Sequence, residues 1–257
     1  MITFDPQSLE ALTRRLHLAT VRRMYPDLIR EAERESWPYG VLLERLLSEE
    51  VSHRSQTRIE RFTAKAKLPF MATIEEFDFT VRPNLKRQML GRFLGLELVA
   101  DNRSLVLEGP AGTGKTHLCI AIAYKAIQNG YEALFTTAAA LINDLVVAAG
   151  NGRLADALKA YIEPDVLICD EVGYLGYGPG AADVLFQVVD QRYLKRRPIL
   201  FTTNKSIKKW GKVLHDGELA RAILDRTLHH GEHIKLDGPS WRLKGKNGVD
   251  ITQDEGD

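Results

Sequence analysis

The chain has 257 residues, with 35 Lys and Arg against 34 Asp and Glu, a net charge of +1, 44% apolar residues and two cysteines. That balance excludes a disordered or collagen-like polypeptide and a disulfide scaffold, and the length suits one large or two modest domains with a buried core. No run approaches the roughly 18 apolar residues of a membrane span, and the first ten residues lack the charged-then-apolar order of a secretory signal, so a cytoplasmic protein without a membrane partner is expected.

Residues 8–67 read as helical. Leu9, Leu12, Leu16 and Ala19 share one face and Val41, Leu42, Leu46 and Leu47 another, with Trp37-Pro38-Tyr39-Gly40 as the break between helices. Residues 1–67 are expected to form a small all-α domain that engages a partner or DNA. Within it Arg54, Arg58, Arg61 and Lys65 recur at steps of three and four, a basic stripe on one helix face. The segment 68–86, "LPFMATIEEFDFTVRPNLK", is aromatic and proline-punctuated, unlike a helix. It suits a linker lying on the following domain, which is expected to span 87–246.

Ser104 to Glu108 supply an apolar, β-prone strand, and His117 to Gln128 continue as a helix with Leu118, Ala121, Ile122 and Lys125 at helical spacing. Between them lies "GPAGTGKT". Gly109, Gly114, Lys115 and Thr116 have the spacing that wraps backbone N–H groups around the phosphates of a nucleotide. The Lys115 ammonium then reaches the β/γ oxygens, and the Thr116 hydroxyl faces Mg²⁺. Pro110, Ala111, Gly112, Thr113 and His117 complete the nucleotide-binding stretch. Cys119 on the helix and Cys169 in a later strand read as buried reduced thiols.

Strands and helices then alternate: "EALFTT" (132–137), a helical stretch through Leu158, "DVLICDE" (165–171), a helix from Ala181 to Tyr193, "PILFTTN" (198–204) and a short last strand near His233 to Leu236. Five strands with intervening helices predict a parallel sheet with helices on both faces. The two acids closing "DVLICDE" divide the work of hydrolysis: Asp170 belongs to the Mg²⁺ shell and Glu171 accepts a proton from attacking water. Asn204, one strand later, can both donate and accept, and so can orient water at the γ-phosphate. From Arg192 to Lys212 eight basic residues (Arg192, Lys195, Arg196, Arg197, Lys205, Lys208, Lys209, Lys212) occur without an acid, a second candidate contact with DNA phosphates. His229, His230 and His233 lack the cysteines or carboxylate that would make them a metal site. The tail from Asn247 is acidic, poor in large apolar residues and expected to be disordered.

The segments GPAGTGKT, LICDEVGYL, ILFTTN and LDRTLHHGEHIKLDGPSWRLK together resemble the AAA+ ATPases. Within them they resemble the helicase-loader clade shared by DnaC and the IstB-like helper ATPases of bacterial insertion sequences, the last segment being closer to the IstB-like form. The resemblance covers residues 70–246 and extends in length and order to the helical N-terminal part. It implies an α/β P-loop fold and ATP bound at a subunit interface, where a neighbour's arginine completes the site. Arg226 in "LDRTL" matches that finger, with Arg221 as a second candidate, and Arg242 in "SWRLK" matches the second sensor. Few residues follow the last strand, so a reduced or missing helical lid is expected. The function implied is ATP-dependent oligomerisation, as a ring or helix, on DNA. That DNA is expected to be double-stranded and read with little sequence specificity, in support of a transposase. A helicase loader is the alternative, followed by a non-hydrolysing nucleotide switch and a small-molecule kinase; Glu171 speaks against the switch, which has no need of a base.

Overall fold

The computed structural model describes residues 6–82, 84–174 and 176–241, so Arg242 and the acidic tail lie outside the described residues. The chain divides into two compact units, Met1–Arg61 and Phe62–Asp257.

The first unit is built from α1 (Pro6–Arg15), α2 (Ala19–Glu35) and most of α3 (Tyr39–Lys65). The break before Tyr39 falls where the Trp-Pro-Tyr-Gly run places it. A second break after Arg15 was not legible, and His17 takes a left-handed conformation there with φ 55°. The apolar faces read from the sequence are not the buried ones. Leu12, Leu16, Val41 and Leu47 are exposed, while Val21, Tyr25, Leu28 and Ala32 of α2 are buried. Glu50, 5% exposed, accepts hydrogen bonds from the backbone N–H groups of Thr20 and Val21 at 2.8 and 3.1 Å, satisfying the uncapped start of α2. Burial opposes its ionisation. Hydrogen bonds from Arg54 and from those two N–H groups outweigh it and hold the carboxyl below its usual range. Arg54 is therefore committed within its own unit, with Nε 2.7 Å from Glu50 and a further bond to the His17 carbonyl. Arg54, one of the four cations of the stripe, thus also holds the start of α2 through Glu50.

In the second unit β1 (Leu105–Glu108), β2 (Ala133–Thr137), β3 (Val166–Val172), β4 (Ile199–Thr203) and β5 (Glu232–Lys235) form one parallel sheet in the order β2-β3-β4-β1-β5. Short helices α4 (Gly91–Leu94) and α5 (Glu97–Ala100) precede it. The central strands are buried runs, as two covered faces demand. Alternation splits their side chains. Val106, Leu167, Cys169, Ile199 and Phe201 pack into a core with α7 (Ala138–Gly150), α8 (Leu154–Ile162), α9 (Ala181–Leu194), α10 (Trp210–Val213) and α11 (Gly217–His229). The intervening Leu105, Leu107, Ile168 and Leu200 are equally buried outside that cluster, and α6 (Lys115–Gln128) packs on β2, β3 and β4. The single helix read from 138 to Leu158 is two, because Gly152 takes φ 68° between α7 and α8. Cys119 and Cys169 are buried free thiols.

The strand order has a direct consequence. β1, first in sequence, sits beside β4, and β4 beside β3, so the loop after β1 and the ends of β3 and β4 share one edge of the sheet.

The acid-free block does not form one patch. Arg192 is fully buried and donates to the carbonyls of Tyr161, Ile162, Pro164, Asp165 and Pro198 at 2.8–3.3 Å, pinning the turn before β3 to the start of β4. Burial, reinforced by Arg197, lowers its pKa to about 9. Arg197 donates to the Ile162 carbonyl at 2.9 Å. Lys195, Arg196 and Arg197 precede β4, whereas Lys205, Lys208, Lys209 and Lys212 follow it, about 20 Å away at the rise of an extended strand. Arg192 is thus a structural clamp and not a candidate for DNA contact. Arg192→Met, which keeps the volume and removes the donors, should lower stability by about 3–5 kcal/mol in denaturant titration, since five buried carbonyls lose a charged partner. A loss below about 1 kcal/mol would contradict the clamp.

Candidate functional site

The loop Gly109–Gly114 leaves β1 and enters α6 at Lys115. Its glycines answer to close neighbours. Gly112 has φ 75°, and a Cβ there would lie 1.9 Å from Ser240 Oγ; Gly114 has φ 94°, and a Cβ there would lie 2.5 Å from the Phe77 ring. The Lys115 ammonium donates to the Gly109 and Pro110 carbonyls, both at 2.7 Å, and so lies across the mouth of the loop. Thr113, 0% exposed, donates through Oγ1 to the Pro110 carbonyl at 2.9 Å.

Beside the loop, Thr116 Oγ1 donates to Asp170 at 2.9 and 3.2 Å. Asp170, 5% exposed, also accepts from Thr202 Oγ1, whose oxygen in turn accepts the backbone N–H of Glu171 at 2.9 Å. Among the described residues no Lys or Arg pairs with Asp170. A buried carboxylate held by two hydroxyls is a donor set of hard oxygens suited to Mg²⁺. Its negative charge adds to burial in raising the thiol pKa of both Cys119 and Cys169, which stay protonated.

Glu171 is where the strand departs from regularity. Cys169 pairs with Phe201 and Val172 with Thr203, so Asp170 and Glu171 together stand opposite Thr202, a bulge. Glu171 adopts φ 61°, costly for a residue with a Cβ, by about 1–3 kcal/mol. In a regular strand Asp170 and Glu171 would leave on opposite faces. The bulge instead leaves the Glu171 side chain exposed beside the phosphate loop. Tyr177 steadies the chain just past the bulge, accepting the Gly173 N–H at 3.1 Å and approaching the Glu171 carbonyl at 3.5 Å; burial pushes its phenol up to about 12, so it remains a neutral donor.

These groups line a cleft of about 280 Å³ that joins residues 111–117 to Glu171, Thr202 and Asn204, with Phe70, Phe77, Tyr174 and Trp241 as apolar walls. Asn204 is exposed just past β4. His117 turns outward from the loop, its Nε2 3.1 Å from the Thr73 carbonyl and its ring near Phe70 and Phe77. The linker segment thus supplies part of the cleft wall.

The arginines fare differently. Arg226 is not among the residues lining the cleft; its Nε donates to Asp190 at 2.8 Å and its guanidinium lies 4.6 Å from the centre of the Phe186 ring. Arg221 is exposed on α11, donating to the Gly217 carbonyl. Arg242 lies outside the described residues. Among the basic candidates, Lys205, Lys208, Lys209 and Lys212 are exposed at the loop end of the sheet, Arg196 is exposed at the opposite end, and Arg58 and Arg61 are exposed on α3. Lys65 pairs with Glu132 at 3.6 Å. His233 points at Glu108 (3.0 Å) and His229 at Tyr193 (2.8 Å), so the three histidines do not converge.

Two residues escaped the sequence reading. Thr202 was hidden in "FTTN", where only the terminal asparagine drew attention, although a threonine pair before a sensor-like residue alternates one hydroxyl toward the acids. Arg82, 3% exposed, lies in the linker next to a proline, with no motif to mark it.

A sequence-family model described as IstB-like ATP binding protein matches residues 11–248. The insertion sequence IS5376 ATP-binding protein of Geobacillus stearothermophilus is 38% identical over 232 residues, covering 90% of this chain and 92% of that protein. The insertion sequence IS21 ATP-binding protein of Pseudomonas aeruginosa is 36% identical over 238 residues, covering 93% and 89%. Among solved structures, AMPPCP-bound DnaA from Aquifex aeolicus aligns with a TM-score of 0.57 at 21% identity over 69% of this chain, which spans about half (54%) of that one. DnaI aligns with a TM-score of 0.53 at 22% identity, covering 66% and 89%. The parallel P-loop sheet, the Asp170–Glu171 pair at its edge and a family match spanning both units agree: the chain belongs to the IstB-like ATP-binding proteins of insertion sequences, and it shares the fold of DnaA and DnaI.

Proposed function

We propose that this protein hydrolyses ATP to control its own assembly on DNA in support of a transposase. The observation that carries the proposal is the cleft in which Lys115, Thr116, Glu171 and Asn204 meet at one sheet edge, with Asp170 hydrogen-bonded to Thr116 behind it. The loop N–H groups bind the phosphates, and Lys115 exchanges the Gly109 and Pro110 carbonyls for the β/γ oxygens. Thr116 and Asp170 would hold Mg²⁺, which when bound neutralises charge on the phosphates. Glu171 takes a proton from water as that water attacks the γ-phosphorus and the bond to the ADP oxygen breaks; Asn204 orients the same water. Arg226 completes a neighbour's site by leaving Asp190, with Arg221, already exposed on the same helix, as the other finger candidate.

Residues 1–67 form the partner-binding domain in this reading, 68–86 a linker that walls the nucleotide and 87–246 the ATPase. Relatives that carry insertion-sequence names over about nine-tenths of the chain support a transposase as partner over a helicase. Lys205, Lys208, Lys209 and Lys212 are the DNA contacts favoured by exposure and by their position at the nucleotide edge, where assembly and DNA binding can be coupled. A homo-oligomer on duplex DNA in the cytoplasm completes the proposal.

Lys115→Ala should abolish ATP binding. Glu171→Gln should leave affinity within about threefold while turnover falls roughly 10²–10⁴-fold. Nucleotide titration beside phosphate release separates the two, and equal loss of binding in both variants would contradict the division of roles. For DNA, the log–log salt slope of binding should fall in magnitude by up to about 2 per subunit in Lys208→Ala/Lys209→Ala, equally on unrelated sequences. Arg196→Ala should leave it unchanged. An unaltered slope in the double variant would remove these lysines from the DNA surface.

A further inference from the structure

Arg82 is a buried cation whose acceptors are all backbone carbonyls. Its Nε donates to Thr113 O at 3.1 Å, and its two terminal nitrogens reach Gly112 O (3.5 Å), Pro239 O (2.7 Å), Asp237 O (3.4 Å) and Val81 O (3.2 Å). One side chain of the linker thus ties the phosphate loop to the segment beyond β5. That segment already presses on the loop. Trp241 N–H donates to Gly112 O at 2.9 Å, and a Cβ on Gly238 would come within 2.8 Å of the guanidinium. Among the described residues no carboxylate pairs with Arg82, so its charge is spent on the loop and not on an ion pair.

The direction of those carbonyls matters. In a trans peptide the C=O and the following N–H point opposite ways. With Gly112 O and Thr113 O drawn toward Arg82, the N–H groups of Thr113 and Gly114 are turned away from it. Among the described residues neither N–H has an acceptor, although Thr113 is 0% exposed. Buried backbone donors without partners are rare and point to a ligand.

We propose that Arg82 is a positioning residue for nucleotide binding: it holds the outer carbonyls of the phosphate loop so that the N–H groups of Thr113 and Gly114 stand ready for the anionic phosphate oxygens of the nucleotide. The inference rests on the reading of residues 109–116 as the ATP phosphate loop. It assigns Arg82 no contact with the reacting atoms. Its loss should therefore raise KM and leave kcat nearly intact. The fork is essential to the role, because a lysine carries the charge but cannot bridge the loop and the Asp237–Pro239 turn at once.

The test uses the full chain, with Arg82→Ala, Arg82→Lys and Lys115→Ala compared by calorimetric titration with ATP and with ADP and by steady-state ATPase, at a temperature well below the thermal midpoint of each. Arg82→Ala should weaken ATP and ADP about tenfold or more, the scale of one charge-assisted hydrogen bond, with kcat at saturating ATP within about threefold. Arg82→Lys should remain impaired at least fivefold. A lowered midpoint with both affinities within twofold of wild type would reduce Arg82 to a structural tie and overturn the proposal, as would full rescue by lysine. Unchanged affinity in Lys115→Ala would overturn the phosphate-loop reading itself, a failure distinguishable from that of Arg82 alone. If Arg82→Ala does not fold, Arg82→Gln, which keeps amide donors but no charge, takes its place with at least threefold weaker binding expected and wild-type affinity as the contrary result.

Discussion

Asp170 accepts hydrogen bonds from two threonine hydroxyls that arrive from different elements, Thr116 from the start of α6 and Thr202 from β4. Burying a carboxylate to 5% exposure without such partners is costly, and bonds of this kind are each worth about 1.5–3 kcal/mol. The same contacts fix where the phosphate loop ends, where the acids sit and how far β4 reaches. Thr202 passes the constraint on, since its oxygen also accepts the Glu171 N–H. Loop, acid and base are therefore set by one relay of side chains, all at the edge that the strand order β3-β4-β1 creates.

Two costs are concentrated at this edge. Glu171 keeps a left-handed backbone at a bulge, and Thr113 and Gly114 keep N–H groups that have no acceptor among the described residues. Neither serves the fold alone. Both fit the proposed function, in which an anion with attacking water occupies the cleft, the bulge aims Glu171 and the loop donors meet the phosphates. The linker and the turn after β5 hold this arrangement through Arg82, Phe77 and Ser240, so segments distant in sequence set the affinity of a loop they do not belong to.

The sheet and the phosphate loop were legible because each rests on local chemistry: buried apolar strands, glycines at fixed offsets and an acid pair at a strand end. Strand order was not, since it depends on which helix covers which face. The basic block shows a further limit. Eight cations without an acid read as one surface, yet Arg192 is consumed by five carbonyls and β4 carries the remainder to opposite ends of the sheet. The helical face of Leu12 and Leu16 misled for a related reason, as periodicity identifies an apolar stripe but not whether anything in the chain covers it. Arg82 and Thr202 were invisible because their roles are made by neighbours far along the chain.

The claim that one hydroxyl relay sets acid and base is tested most directly by Thr202→Val, which preserves side-chain shape while removing the group shared by Asp170 and Glu171. Single-turnover ATP hydrolysis measured at saturating nucleotide, alongside ATP affinity, gives the answer. The relay predicts hydrolysis slowed by at least tenfold, toward the roughly hundredfold cost of a small misplacement of catalytic groups, with affinity within about threefold. Hydrolysis within twofold of the unaltered protein would contradict it.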